Sequence, residues 1–155
     1  MRLALLSTVL ISASAVAQPA PTLNAQAAQA IINGCAAHAT AKKQSHAIVV
    51  VDNGGHTVAA LRMDGNGSGI FDFAQQKAEA SAAWGFSTAQ MIEGARGTPG
   101  FDRAPHVVIV AGGVPIFDGR TRIGAVGVSG EAPADDAACA EAGIASAKLR
   151  SSRAN

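Results

Sequence analysis

The stretch HVVIVAGGVPIFDGRTRIGAVGVSG, residues 106–130, decides how the rest of the chain is read. It holds three apolar runs, His106–Val110, Val114–Phe117 and Arg122–Val128, punctuated by Gly112-Gly113, Asp118-Gly119 and Gly130. β-Branched runs between glycines are the pattern of a meander, so three antiparallel strands are expected here. Pro115 has no N–H to give a ladder. Gly124 and Gly127 omit side chains where either a flat ligand or another backbone could lie close.

Working outward, Ala47–Val51 is wholly apolar, Asp52-Asn53-Gly54-Gly55 is turn chemistry and Thr57–Met63 alternates, which predicts a β-hairpin. Thr57, Ala59, Leu61 and Met63 share one face of its second strand; Val58, Ala60, Arg62 and Asp64 share the other. Helices are expected from a Thr22 or Asn24 cap to about Thr40, from Ile70 to about Trp84, from Ser87 or Thr88 to about Glu93, and from Pro133 to about Arg150. The first carries the apolar stripe Ala28, Ile31, Ile32, Cys35 and Ala39. Lys77 falls on the apolar stripe of the second, where it either snorkels past the core edge or pairs with a ligand carboxylate or Asp64. Gly94–Pro105 is the longest irregular stretch, and its Arg96, Phe101 and Arg103 could hold an anionic planar ligand. The sum is an α+β domain with a five-stranded antiparallel sheet flanked by helices.

Residues 1–17 pair Arg2 with an interrupted apolar run and an Ala15-Val16-Ala17 cleavage pattern, which reads as a signal peptide. Residues 18–155 then form a single domain, periplasmic or secreted, with no membrane insertion after cleavage. Without Arg2, 11 basic residues balance 11 acidic ones, so net charge provides no steering toward nucleic acid. The alanine- and glycine-rich composition leaves room for close subunit contacts. The two cysteines, Cys35 and Cys139, are a disulfide, two buried free thiols or a thiolate ligand; pairing requires the first and last helices to be neighbours.

Val49–His56, Leu61–Gly65, Lys77-Ala78, Ala111–Ile116, Ile123–Gly130 and Asp136–Gly143 together resemble the GlcG/HbpS family over nearly all of the chain after residue 17. The resemblance implies a profilin-like fold, first and last helices side by side, a symmetric homo-oligomer and haem as the usual ligand. The adjacency of those helices is what Cys35–Cys139 pairing needs. Positions matching the family pattern near the expected pocket are Arg62, Asp64, Lys77 and the turn Gly112-Gly113-Val114-Pro115.

Haem iron takes an imidazole, thiolate or thioether, with apolar walls and cations for the propionates. His38, His46, His56, His106, Met63 and Met91 are the candidates. His46 and His106 stand out because each begins an expected strand, His46 beside Arg62 and Asp64, His106 just after the long loop. No C-x-x-C-H attachment exists, so bound haem would be non-covalent. Two other functions compete with haem binding: a module for small carboxylates such as glycolate using Arg62 and Lys77, and an enzyme using Asp64 and Lys77 as acid and base. No nucleophile elbow, zinc signature or phosphate loop supports the enzyme.

Overall fold

The computed structural model describes residues 21–154, and the leader read over residues 1–17 lies outside the described residues. The chain runs α1 (Ala25–Ala41), β1 (Ala47–Asp52), β2 (Thr57–Arg62), α2 (Ser68–Trp84), α3 (Thr88–Gly97), β3 (Gly113–Asp118), β4 (Thr121–Ser129) and α4 (Pro133–Ser146), with a 3-10 turn at Phe101–Arg103. Local chemistry places the helix starts. The Asn24 side chain accepts from Ala27 N at 2.8 Å, and Ser87 with Gln90 forms a reciprocal capping box.

All four strands pair antiparallel in the order β2-β1-β4-β3. Ile48, Val50, Val126 and Val128 pack on one face against α1 and α4, while Ala47, Val49, Val51 and Ala125 pack on the other against α2. A central strand covered on both faces needs no polar alternation, which is why β1 reads as one apolar run. The expected α1 stripe is the buried set of that helix.

The sheet has four strands, not the five expected, because His106–Val110 is not a strand. His106 adopts a left-handed φ of 58° immediately after Pro105, and Ile109 remains 48% exposed. Part of the backbone of this segment bonds elsewhere: Val107 N donates to Ala104 O and Val108 N to Met91 Sδ. The outer edge of β3 is taken instead by the C-terminal tail. Phe117 and Arg150 exchange backbone hydrogen bonds of 2.8 and 3.0 Å, and Ala154 N donates to Gly119 O. For this reason α4 stops at Ser146, short of the expected Arg150, and Lys148 turns the chain with a left-handed φ of 59°.

Of the two alternatives for the strand glycines, the fold takes close backbone packing. A Cβ on Gly127 would lie 2.0 Å from Ala74 O and 2.5 Å from Ala78 N, so α2 rests directly on the β4 backbone. Gly124 is likewise pressed against Val51 O. On the opposite face α1 and α4 lie side by side, joined by a Cys35–Cys139 disulfide between two fully buried residues 104 positions apart.

Two stability measurements check this packing. Gly127→Ala must push α2 off the sheet and is expected to cost at least about 1–3 kcal/mol in a denaturant titration with unchanged slope. Replacing both cysteines by alanine releases the long loop and should lower stability by about 2–5 kcal/mol.

Candidate functional site

Three elements from three layers meet at one end of the sheet. His46 leads into β1, Lys77 lies on α2, and Asp136 sits in the first turn of α4; all three are at most 2% exposed. The Lys77 ammonium donates to Asp136 Oδ2 at 2.9 Å and to Val128 O at 2.9 Å, and stands 4.8 Å from the centre of the Phe73 ring. Asp136 Oδ1 accepts from Glu131 N at 3.1 Å and faces His46 Nδ1 at 3.1 Å. Nδ1 is thus the ring nitrogen turned to the carboxylate, and Nε2 is buried without a hydrogen-bond partner among the described residues.

Lys77 reaches Asp136 because the intervening chain lacks side chains. A Cβ on Gly112 would lie 2.9 Å from Lys77 Nζ and 2.4 Å from Val128 O, and the φ of 125° at Gly112 also favours glycine. Asp136 gains further from the positive end of the α4 dipole. The pair therefore crosses the end of the sheet beside β4 and ties α2 to α4.

The expected site residues fall into three groups. Lys77, Gly112, Gly113 and Val114 are buried together around this pair. Lys77 neither snorkels nor pairs with Asp64: its ammonium is enclosed, so the Asp64/Lys77 acid–base arrangement is not formed. Arg62 and Asp64 are exposed at the end of β2, and Arg62 Nη1 donates to Asn66 O instead of pairing with Asp64. His46 approaches that strand only through its backbone, accepting from Met63 N at 3.0 Å, while its ring points to Asp136. Arg62 and Lys77 thus do not converge as two cations for one carboxylate.

The third group surrounds the segment between α3 and β3. Helix α3 extends to Gly97, past the expected Glu93, so Arg96 is helical and pairs with Glu93. Phe101 stacks edge-on against Trp84 at 5.2 Å, and Trp84 Nε1 donates to Pro105 O. Ile92, Ala95, Pro99 and Ile109 wall an open cleft of about 370 Å³ with Arg96 and Asp102 at its rim. Exposed His106 does not line that cleft; it lines a separate depression of about 300 Å³ against Glu79 and the β1–β2 turn. At that turn the backbone N–H of His56 holds the Asp52 carboxyl below its usual range. Arg103 is exposed on the 3-10 turn.

The residue that sequence reasoning left without a role is Asp136. The signal it offers is a carboxylate in the first turn of a helix, within the family-matching stretch Asp136–Gly143; the lysine and histidine that make it a site are 59 and 90 positions away. Ser45, Asn66 and Glu131 extend the same network outward, with Ser45 N donating to Glu131 Oε1 and Asn66 Nδ2 to Ser45 Oγ.

The fold defines a class: α+β domains with a four-stranded antiparallel sheet between a helix pair and a single crossing helix, here locked at one end by a buried lysine–aspartate–histidine cluster. Within that class the chain belongs to the HbpS-like family. Residues 23–145 match the family described as haem degrading protein HbpS-like. The chain is 37% identical over 110 residues to protein GlcG of Escherichia coli K12, covering 69% of this chain and 81% of that protein. Protein ORFY of Klebsiella pneumoniae superposes with a TM-score of 0.78 at 25% identity, over 88% of this chain and 98% of the other. PduOC, solved in complex with haem, superposes at 0.79 with 20% identity, over 86% and 100%.

Asp136→Asn leaves the Lys77 charge enclosed without its counter-ion and should cost about 3–5 kcal/mol. A double-mutant cycle with Lys77→Met checks the coupling. The double variant is expected to be clearly less destabilised than the sum of the two single changes.

Proposed function

We propose that this chain is an exported haem-binding protein of the HbpS-like family, acting as a homo-oligomer in the periplasm or outside the cell. The observation that carries the ligand is the cleft beside α3: an apolar wall of Ile92, Ala95, Pro99 and half-exposed Ile109 next to the Arg96 guanidinium. A porphyrin needs such a wall and a cation for its propionates. The haem complex of PduOC and the family's description support the same ligand. A disulfide inside the core suits an oxidising compartment and supports export.

Among the imidazoles, His106 is the one we assign to the iron. It is exposed, lies on the segment that carries Ile109, and has no hydrogen bond among the described residues. His46 is enclosed and committed to Asp136. Both cysteines are bonded to each other, which removes thiolate ligation. Arg103 and Phe101 on the same segment are available to a second propionate and to the ring. The carboxylate-binding reading loses its support because Arg62 and Lys77 do not meet.

Titrating the purified protein with haemin should give a saturable, shifted Soret band. His106→Ala is expected to change the band, and Arg96→Ala to weaken binding several-fold. His46→Ala should lower stability and leave the spectrum of the remaining folded protein unchanged. A spectrum of free haem throughout overturns the proposal; an unchanged band in His106→Ala overturns the ligand assignment.

A further inference from the structure

The chain contains three Asn-Gly steps, Asn33-Gly34, Asn53-Gly54 and Asn66-Gly67. At such a step a polypeptide can modify itself. The backbone nitrogen of the glycine attacks Cγ of the asparagine; an N–Cγ bond forms, the Cγ–Nδ2 bond breaks, and Nδ2 leaves as ammonia with the proton given up by the glycine nitrogen. Water then opens the cyclic imide, giving aspartate or, where the other C–N bond is cut, isoaspartate with one extra methylene in the backbone. Glycine offers this attack the least hindrance. The asparagine side chain must first turn onto the following N–H, so the fold decides which step reacts.

Two of the three are closed. Asn33-Gly34 lies inside α1, where the glycine N–H is committed to the carbonyl four residues back. Asn66 is 9% exposed, and its Nδ2 donates to Ser45 Oγ at 2.8 Å and to Met63 O at 3.3 Å. Asn53 and Gly54 are instead both exposed, in the turn between β1 and β2. The Gly54 N–H points at Asp52 Oδ1, 2.8 Å away, so an ionised carboxylate faces the proton that the attacking nitrogen must lose. One residue holds the reaction back. Asn53 Nδ2 donates to Arg122 O at 2.6 Å and Arg122 Nε donates to Asn53 Oδ1 at 3.1 Å, which turns both ends of the amide toward β4. Arg122 is itself braced, with Nη1 standing over Gly85 at the C-terminal end of α2, where a cation is favoured.

We infer that Asn53 is a self-modification site, converting slowly to aspartate and isoaspartate, and that Arg122 sets the rate by gripping its side chain. The product carboxylate cannot donate to Arg122 O, so the turn loses that bond to β4. Asn53 and Gly54 line both the depression that holds His106 and the one beside Leu23 and Ile123, so a single conversion reshapes two surface hollows. None of this depends on the haem reading.

The test incubates the folded, disulfide-bonded protein at mildly alkaline pH and reads each Asn-Gly peptide by mass spectrometry for the gain that accompanies exchange of an amide for an acid. Asn53 should convert before Asn33 and Asn66, and more slowly than in the same chain held unfolded in denaturant. Arg122→Ala should speed conversion at Asn53 several-fold while Asn33 and Asn66 keep their wild-type rates. Those two positions report global loosening, which would release all three together. Arg122→Lys keeps a cation near α2 but lacks the Nε donor, and it should also speed Asn53 alone. Conversion of Asn33 or Asn66 ahead of Asn53 overturns the inference, as does a rate at Asn53 that neither variant raises.

Discussion

The salt bridge between Lys77 and Asp136 is the constraint on which the arrangement of layers depends. Two charges removed from water each carry a desolvation cost of several kcal/mol, and that cost is recovered only where every remaining donor and acceptor is met. Here the ammonium has the carboxylate, a strand carbonyl and an aromatic face; the carboxylate has the ammonium, an imidazole and a backbone N–H. Because the partners come from α2, α4 and the start of β1, the network is satisfied in one relative placement of these elements. A shift of any layer leaves a buried charge without its partner, so the pair selects the register of the packing more than it adds to its strength.

The same economy of space appears throughout the core. Alanines and glycines let α2 lie on bare strand backbone at Gly127, and glycine at position 112 opens the passage that Lys77 uses. This packing sets helix directly against strand backbone among the elements it joins. The open surface lies instead on the irregular segment between α3 and β3, held to the body by Trp84, Met91 and Thr88 through single hydrogen bonds. A rigid, closed body with a separately tethered binding segment matches the usual division between scaffold and site.

What was legible in the sequence was local. The α1 stripe, the capping residues, the central apolar strand and the hairpin at Asp52–Gly55 each depend on neighbours within a few positions, and each appears where periodicity and turn chemistry place it. The run His106–Val110 misled because its β-branched composition is that of a strand. Whether it pairs depends on what else competes for the edge of β3, and a tail some 40 residues later in the chain holds that place.

The sequence by itself determined the four helices, four of the five strands read from it, the wholly apolar run of β1, the resemblance to the GlcG/HbpS family and the residues able to carry charge. Only the tertiary structure decided which of those charges meet. Lys77 on an apolar stripe had three possible fates in one dimension; its enclosure with Asp136 and His46, 59 and 31 positions away, follows from where α4 and β1 come to rest. Electrostatic partnership is a distance of a few ångströms in space, and nothing in the spacing of residues along the chain encodes it.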